Sequence, residues 1–453
     1  MIDSDLKKAW LSLSPDANEP EIAFKLVIPE ILKIFGFNQQ EVCQQYLTGR
    51  GAKAVDIAAR KNTGEEDFSH TKQDATLIVE LKKRQLDLSS SSNPYKNAVK
   101  QLKGYLHPTS VNCRQVNWGI LTNANRIQLF RRHGRVVYPY TTNIELTAEN
   151  IDEKISIIKT IIDNQQQALT VALYNNKGGV GKTTTAINLA GILSLPKPLG
   201  FGKKVLVVDF DPNQKDLSDL LNIQTEKLSL FDFYKDRKSL NINDVIAQYR
   251  FKEKFGFDII PADEKFLNAT GTDLASIPKG TLKKALSPLA DFYDYILIDS
   301  PPGDSYFTHE ALTAADVILM PSKHNGVASF KNAAMAMKSI FPALGKDRRA
   351  YFPELADPTP LPIFFNGESI TPTAKAQAQN AIKAIVRQAK QEDQIDLMHF
   401  FFPKWTPAQE NLEIFEMPSY AHIASAAFAN RPAVFTSKVA CEYYRNLVQE
   451  YFI

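Results

Sequence analysis

The stretch NKGGVGKTT, residues 176–184, decides the fold of the second half of this chain. It follows the apolar run LTVALY, which predicts a strand, and it leads into TTAINLAGIL, which predicts a helix. Glycines in such a loop let backbone N–H groups converge on phosphate oxygens, and the helix N-terminus adds partial positive charge. The stretch therefore predicts a phosphate-binding loop.

Two lysines stand at the two ends of this loop. Lys182 is expected to neutralise the β- and γ-phosphates of a nucleotide, and Thr183 to hold Mg²⁺ through its hydroxyl. Lys177 cannot easily fold back over its own loop, but it can reach across a dimer interface. ATP and Mg²⁺ are the predicted cofactors. The loop residues expected to bind the nucleotide are Gly178, Gly179, Val180, Gly181, Lys182, Thr183 and Thr184.

Further apolar runs follow the loop at intervals that leave room for helices. They are KVLVVDFD, YDYILIDS, DVILMPS and LPIFFN. Continuously apolar strands are buried on both faces, which is typical of a parallel sheet covered by helices. Acidic side chains follow two of these strands, at the sheet edge where α/β proteins bind ligands.

The motif KGGVGKTT resembles the deviant phosphate-loop signature of the ParA/MinD family of ATPases, and VVDFDP, YDYILIDSPPG and PIFFN follow in that family's order. The resemblance spans roughly residues 169–453. It implies an ATP-dependent homodimer in which each Lys177 enters the other subunit's site. It also implies that Asp211 positions or activates water, that Asp299 acts on Mg²⁺ with Asp209 nearby, and that Asn366 recognises adenine.

Many members of this family bind DNA without sequence preference. In AIKAIVRQAK, Lys383 and Arg387 lie one helical turn apart and are candidate DNA-binding residues. A solvated helix face explains the same spacing at least as well.

A second group of candidate catalytic residues precedes the phosphate loop in the sequence. Asp56 stands in AVDIAAR, and Glu80 and Lys82 stand in IVELKK, where side-chain alternation puts both on one face of a strand. Two facing carboxylates can hold Mg²⁺, and the lysine can orient water at a scissile phosphate. Gln101 and Tyr105 share one helix face and are candidate DNA-binding residues.

Together these residues resemble the N-terminal nuclease domain of type I restriction enzyme motor subunits, a PD-(D/E)xK fold, over roughly residues 15–140. The resemblance implies metal-dependent DNA cleavage, with Asp56, Glu80 and Lys82 as catalytic residues and Asp56 and Glu80 on the metal. Glu21 lies where related nucleases often contribute another acid. A degenerate nuclease fold that only grips DNA or docks a partner remains the alternative.

The composition fits a chain of two or more globular domains. It has 453 residues, of which 44% are hydrophobic and 23% charged, and its three cysteines form no CxxC pair. We predict an α/β fold with a restriction-endonuclease-like domain at 1–145, a helical connector at 146–167 and a parallel-sheet P-loop ATPase domain at 168–453. No membrane span or signal peptide is predicted, and we expect a cytoplasmic protein, with association to a nucleoid or plasmid open.

The stretch between Asp87 and Glu145 contains no acidic residue. Its eight basic residues are Lys96, Lys100, Lys103, Arg114, Arg126, Arg131, Arg132 and Arg135. A polyanion-binding surface and an ordinary solvated face are both compatible with this run.

Three functions compete. The first is an ATPase with a metal-dependent DNA nuclease, in which ATP-driven dimerisation gates DNA engagement or cleavage. The second is a partition or positioning ATPase whose first domain is only a DNA or partner anchor, with a possible adaptor protein stimulating hydrolysis. A metabolic enzyme on the same ATPase fold is disfavoured, because the chain shows no substrate motif of that class. Sequence alone does not choose between defence and partition.

Overall fold

The computed structural model divides the chain into two compact units. The first comprises Met1–Gln165 with Pro353–Ala356, and the second comprises Gln166–Phe352 with Asp357–Ile453. The structure describes residues 4–63, 66–223, 228–269, 271–324, 326–367, 369–417, 423 and 430–453. Among these residues no helix combines the length and the apolar character needed to cross a membrane.

The first unit is built on one seven-stranded sheet. Its strands are β1 (Val42–Leu47), β2 (Ala54–Ala59), β3 (Leu77–Leu81), β4 (Trp118–Thr122), β5 (Arg126–His133), β6 (Val136–Pro139) and β7 (Ile144–Glu145). The sheet order is β1-β2-β3-β4-β5-β6, with β7 paired to β5. Only β3 and β4 run parallel; all other neighbours are antiparallel. The turn between β5 and β6 follows His133, which pairs with Val136.

Helices cover both faces of this sheet. They are Asp5–Leu11, Glu19–Ile22 continuing as π-helical Ala23–Leu32, Phe68–Thr71, Asn93–Tyr105 and Ile151–Asp163, with 3₁₀ turns at Gln39–Glu41 and Val111–Cys113. One apolar core lies under the first helices and Ile151–Asp163, and a second lies under Asn93–Tyr105. The helix Ile151–Asp163, which we interpreted as a separate connector, buries Ile151, Ile155 and Ile158 in the first of these cores. Because burial of that stripe fixes the helix against the sheet, it belongs to the first unit.

The second unit carries a seven-stranded sheet and a small three-stranded one. The strands are β8 (Leu169–Leu173), β9 (Val205–Asp209), β10 (Ala247–Phe251), β11 (Phe255–Ile260), β12 (Tyr295–Asp299), β13 (Val317–Leu319), β14 (Pro321–Ser322), β15 (Thr359–Pro360), β16 (Phe364–Asn366) and β17 (Glu416–Met417). The larger sheet has the order β10-β11-β9-β12-β8-β13-β15, and only the β10–β11 pair is antiparallel.

The helices of the second unit lie between these strands along the chain. They are Lys182–Ser194, Asp216–Leu220, Leu230–Lys235, Lys265–Asn268, Gly271–Ser276, Thr281–Leu286, Tyr306–Ala314, Val327–Met335 with π-helical Ala336–Ile340, Phe341–Tyr351, Pro372–Glu392, Met398–Phe401 and Lys438–Tyr451. Short 3₁₀ turns occur at Ile242–Val245, Ser287–Asp291 and Ala433–Phe435.

The predicted parallel sheet is confirmed, with one difference in the last strand. The run LPIFFN forms β16, which pairs with β14 and β17 in the small sheet rather than extending the large one. The short strand β15, just before it, takes the edge position beside β13. The sequence analysis also missed the β10–β11 hairpin, whose strand β10 alternates exposed and buried residues at the edge of the sheet.

Candidate functional site

The phosphate loop lies at the carboxyl ends of three neighbouring strands. In the register of the sheet, Asp299 of β12 lies opposite Leu173 of β8 on one side and Asp209 of β9 on the other. The Ser300 hydroxyl donates a 2.7 Å hydrogen bond to the carbonyl of Leu173, which ties the end of β12 to the start of the loop. The two predicted metal-binding aspartates are thereby brought together beside the loop.

The loop surrounds the mouth of a cavity of about 420 Å³, a size typical of small-ligand sites. Gly181 ends the loop in a left-handed conformation, with φ +87°, and the helix Lys182–Ser194 begins at the next residue. The predicted nucleotide-binding residues all line this cavity. They are Gly178, Gly179, Val180, Gly181, Lys182, Thr183, Thr184 and Asn366.

Lys182 is only 8% exposed, and its Nζ lies 3.5 Å from the carbonyl oxygen of Asn175. Burial lowers the pKa of the Lys182 amine, and the negative charges of Asp299 and Asp211 oppose that shift. An amine held in this way is a desolvated positive charge, and such a charge interacts strongly with phosphate.

Lys177 is placed differently. It is partly exposed, and it is not among the described residues that line the cavity. Its backbone N–H donates a 3.0 Å hydrogen bond to the Asn175 side chain, and its Nζ lies near Gly326. No ion pair of Lys177 occurs within the described residues. The two lysines of the loop therefore occupy distinct environments, one inside the cavity and one outside it.

The buried aspartates at the strand ends retain unused oxygens. Asp209 is 2% exposed, and its Oδ2 accepts hydrogen bonds of 2.9 and 2.6 Å from the backbone and hydroxyl of Ser218. Asp299 is 3% exposed and is hydrogen-bonded by the Thr183 hydroxyl. Within the described residues the Oδ1 atoms of both aspartates are buried and have no hydrogen-bond partner.

Burial raises the pKa of Asp209 to about 6 and that of Asp299 to about 8. The negative charge of Asp209 adds to the rise at Asp299, because two carboxylates this close disfavour each other's ionisation. A divalent cation bound between the two carboxylates would favour their ionised forms and so lower both pKa values. The pair of orphaned oxygens beside the Thr183 hydroxyl therefore fits Mg²⁺, which typically takes one or two carboxylates together with phosphate oxygens and water.

Asp211 lies at the cavity wall. Its Oδ1 accepts hydrogen bonds of 3.1 Å from the backbone of Asn213 and 3.3 Å from that of Gln214, so the carboxylate is held by its own turn. The predicted role of Asp211 in positioning or activating water stays a prediction.

Asn366 lies against the loop instead of standing free. Its Nδ2 donates a 2.9 Å hydrogen bond to the carbonyl of Val180 and lies 3.4 Å from the Thr185 hydroxyl. The predicted contact of Asn366 with adenine stays a prediction.

The sequence analysis missed several residues of the cavity. They are Gln214, Asp216, Ser300, Pro302, Lys323, His324 and Gly367. Three of them, Ser300, Lys323 and Gly367, are the first residues after β12, β14 and β16, and that position was the available signal. Lys323 and His324 follow β14, a two-residue strand with no periodic pattern of its own.

The first unit brings the second predicted constellation together. β2 and β3 are antiparallel neighbours, and the Asp56 carboxylate accepts a 2.7 Å hydrogen bond from the backbone of Leu81. Lys82 forms an ion pair with Glu80, which confirms that the two side chains lie on one face of β3. Tyr105 is hydrogen-bonded by Gln101 at 2.6 Å and also contacts the Glu80 carboxylate.

Glu80 is the most deeply buried member of this cluster, at 1% exposure. Burial, and then the negative charge of Asp56, raise the pKa of Glu80 to about 7. Its Oε2 has no hydrogen-bond partner among the described residues. The described residues contain no group of three or more His, Cys, Asp or Glu that could hold a metal by themselves. Asp56 and Glu80 are the two carboxylates that this cluster offers, so a Mg²⁺ ion here would need water and phosphate oxygens to complete its shell.

Glu21 is not a member of this cluster. It forms a 2.8 Å ion pair with Lys25 on its own helix, and the more distant acid that raises the pKa of Glu80 is Glu19. The role expected from the position of Glu21 in the first helix is not supported, because its carboxylate is already paired.

The candidate DNA-binding helix of the second unit is Pro372–Glu392. Lys383 forms a 2.5 Å ion pair with Glu410, whereas Arg387 is exposed and has no ion pair within the described residues. Both residues were predicted as DNA-binding candidates without distinction, but one is ion-paired and the other is not.

Comparison with known proteins supports the assignment of the second unit. Residues 168–338 match the family described as AAA domain. The chain is 36% identical over 151 residues to the chromosome-partitioning ATPase Soj of Thermus thermophilus, which covers 33% of this chain and 53% of that protein.

Two further relatives and two solved structures are also similar to part of this chain. Identity is 35% over 157 residues to the sporulation initiation inhibitor protein Soj of Bacillus subtilis, covering 33% of this chain and 56% of that protein. The chain is 37% identical over 164 residues to a putative replication protein A of Sinorhizobium fredii, and the match covers 33% of this chain and 38% of that protein. An ATP complex of McdA from Cyanothece has a TM-score of 0.45 at 22% identity, covering 63% of this chain and 96% of that one.

The Mg-ADP complex of the septum site-determining protein MinD from Pyrococcus horikoshii has a TM-score of 0.43 at 18% identity. The match covers 62% of this chain and 95% of that one. The chain spans about half the length of the Soj proteins it matches. The matched AAA region lies within the second unit, so the predicted resemblance to the ParA/MinD family is supported there. The resemblance of the first unit to a nuclease stays a prediction.

Proposed function

We propose that the second unit binds ATP with Mg²⁺ and hydrolyses it in an ATP-dependent homodimer, and that the chain is a partition or positioning ATPase anchored to DNA through its first unit. The observation that carries this proposal is the separation of the two loop lysines. Lys182 is buried in the cavity with the aspartates, and Lys177 stands outside it without an acidic partner in the described residues.

Phosphoryl transfer depends on positioned charge rather than on covalent chemistry. Lys182 and the loop amides hold the β- and γ-phosphates, Thr183 with Asp299 and Asp209 hold the cation, and Asp211 orients the attacking water. The bound Mg²⁺ supplies charge neutralisation at the phosphates. Lys177 of each protomer enters its partner's site, so hydrolysis depends on dimerisation.

The relatives support the DNA side of the proposal. One is a chromosome-partitioning ATPase and another a putative replication protein. On this proposal the protein works in the cytoplasm at a nucleoid or plasmid, binds DNA without sequence preference, and has its hydrolysis stimulated by an adaptor protein.

A complementation experiment tests the shared site. Lys177→Ala and Asp211→Ala proteins are each expected to hydrolyse ATP far more slowly than wild type. In a mixture, a heterodimer places an intact Asp211 opposite an intact Lys177 in one of its two sites, and activity is partly restored. If Lys177 acts within its own subunit, no dimer in the mixture has a complete site, and the absence of restoration contradicts the proposal. A mixture of Lys182→Ala and Asp211→Ala proteins is the control. Each of these residues serves the site of its own subunit, so each site of a heterodimer lacks one of them and no activity is restored.

A second function, metal-dependent DNA cleavage by the first unit, is favoured by the convergence of Asp56, Glu80 and Lys82 beside Gln101 and Tyr105. Asp56 and Glu80 would hold Mg²⁺, which would stabilise charge on the scissile phosphate, and Lys82 would orient the attacking water. Gln101 and Tyr105 would contact the DNA beside that phosphate. Dimerisation through the second unit would bring two such sites to one duplex.

This second function is tested with supercoiled and linear DNA in Mg²⁺ or Mn²⁺, with and without ATP. Cleavage is expected from wild type and not from Glu80→Gln or Lys82→Met. The Lys177→Ala protein is the control that separates control of cleavage by ATP from the cleavage reaction itself, because it changes the ATP site and leaves Asp56, Glu80 and Lys82 in place. Intact DNA in every wild-type reaction would leave the first unit as an anchor only.

A further inference from the structure

The basic side chains of the acid-free stretch of the first unit have no part in either site described above. These cations do not spread evenly over the fold. Two of them, Arg114 and Arg135, lie on the loop 106–114 and the β5–β6 turn, and these two segments meet the β1–β2 turn, which carries Arg50. We call this region the basic surface and define it by Arg50, His107, Arg114 and Arg135.

Hydrogen bonds join the first two of these segments. The Tyr46 hydroxyl donates a 2.8 Å bond to the carbonyl of Asn112, and the Asn112 side chain donates a 2.8 Å bond back to the carbonyl of Leu47. Arg50, in the turn that follows β1, lies 3.4 Å through its Nη1 from the carbonyl of Gly104 at the end of the helix Asn93–Tyr105. The loop is therefore fixed beneath the turn that carries Arg50.

Arg132 joins the loop to the third segment. Its Nη1 donates a 2.5 Å hydrogen bond to the carbonyl of Cys113, and its Nε donates a 2.9 Å bond to the carbonyl of Gly134. Because this guanidinium donates its hydrogen bonds to backbone carbonyls, Arg132 acts by positioning the two segments that it joins. It holds Arg114 and Arg135, both exposed, on neighbouring parts of the surface.

The electrostatics agree with this geometry. The pKa of His107 is lowered first by burial and then by the positive charges of Arg50, Arg135 and Arg132. Arg50 and Arg114 make no ion pair within the described residues, whereas other cations of the unit do, such as Arg126 with Glu145. The positive charges of Arg50, Arg135 and Arg132 all act on the one imidazole of His107, so these cations lie close to one another.

We propose that the basic surface binds the phosphodiester backbone of duplex DNA, with Arg50, Arg114 and Arg135 as its phosphate contacts. The inference rests on the proposed anchoring role of the first unit and names the residues that perform it. Arg114 and Arg135 are exposed and Arg50 is half-buried, and cations carried on separate segments suit a chain of phosphates better than one small anion.

The test measures binding of a short fluorescent DNA duplex to the full chain without nucleotide, over a series of salt concentrations. We expect Arg50→Ala/Arg135→Ala to weaken binding about 10-fold or more. The same variant should reduce the slope of log K against log salt by roughly two, because each arginine that no longer binds a phosphate lowers the slope by about one. Arg114→Ala/Arg135→Ala, in which both side chains are exposed, is a second variant expected to behave in the same way.

The matched control is Lys8→Ala/Lys33→Ala. It removes the same charge from exposed positions beside the other core of the unit and is expected to leave binding unchanged. Equal affinity of the arginine variants and wild type overturns the inference, and so does an absence of nucleotide-free binding by wild type. Stronger binding of an RNA duplex than of DNA overturns the assignment to DNA. ATP hydrolysis is measured on the same proteins, so that failure of the second unit is recognised separately.

Discussion

The side chain of Asn366 and the carbonyl of Val180 are joined by a 2.9 Å hydrogen bond, which attaches the end of β16 to the phosphate loop. The fit is close: a Cβ at Gly181 would lie 2.4 Å from Asn366 Nδ2. The loop shape therefore depends on a residue nearly two hundred positions later in the chain, and the absence of a side chain at Gly181 is what lets that residue approach.

Gly181→Ala is expected to disable nucleotide binding. The new methyl group meets Asn366, and φ of +87° disfavours any residue with a Cβ. We expect a lower thermal unfolding midpoint and loss of saturable ATP binding, measured by calorimetry and by fluorescent nucleotide titration. Gly178→Ala is the matched control for stability, since a Cβ there meets nothing within 4 Å. Equal unfolding midpoints for the two variants and wild type would contradict the assigned role of this contact.

The two cations of the helix Pro372–Glu392 are expected to contribute unequally to DNA binding. Lys383 is paired with Glu410, whereas Arg387 is exposed without an ion pair in the described residues. ATP-dependent retention of DNA should fall several-fold for Arg387→Ala and little for Lys383→Ala, because neutralising a lone cation removes one phosphate contact. Glu410→Ala provides the control: it frees Lys383 and should strengthen binding. Equal effects of the two cation substitutions would show that the ion pair does not operate in solution.

The cation site of the second unit is expected to depend on both buried aspartates. Replacing Asp299 by Asn keeps the shape and the bond to Thr183 but removes a charge that Mg²⁺ needs. We expect the Mg²⁺ concentration for half-maximal ATP hydrolysis to rise at least 10-fold, with ATP binding in the absence of Mg²⁺ retained. The control is Asp304→Asn, an exposed acid five residues later that has no part in the cavity. An unchanged Mg²⁺ requirement would remove Asp299 from the cation site.

Local patterns in the sequence predicted the elements that carry the site. Strand β8, the glycine loop and the helix after it form one continuous segment, so their geometry is encoded within a few residues. The alternation that places Glu80 and Lys82 on one face of β3 is equally local. These features were confirmed because neither requires knowledge of a distant part of the chain.

Features that depend on distant pairing were not predictable in this way. The contact of Asn366 with Val180, the neutralisation of Lys383 by Glu410 and the joining of the loop 106–114 to β1 all link segments far apart in sequence. The strand β16 was recognised, yet its place in a separate small sheet follows from pairing with the two-residue strands β14 and β17, which have no periodic signal. The helix that carries Ile151, Ile155 and Ile158 was predicted as a connector, but the core that buries these three side chains was not predicted.

The charge of Glu80 gives a last, pH-dependent prediction. Its pKa in the folded protein is raised to about 7 from an unfolded value of 4.5, mainly by burial. The folded state therefore binds more protons than the unfolded state between these values, and stability falls as the pH rises through that window. A shift of this size corresponds to at most about 3 kcal/mol.

Glu80→Gln keeps the shape of the side chain and cannot ionise, so it should remove this cost. In the presence of a chelator we expect the unfolding midpoint of Glu80→Gln minus that of wild type to increase from pH 5 to pH 8, as measured by calorimetry on the full chain. Glu66→Gln is the control, because the Glu66 side chain is 56% exposed in its ion pair with Arg60 and should give a small difference that changes little with pH. A difference for Glu80→Gln that stays constant or decreases with pH would show that the carboxylate is not held in a desolvated position, and the acid cluster would then lose its basis as a metal site.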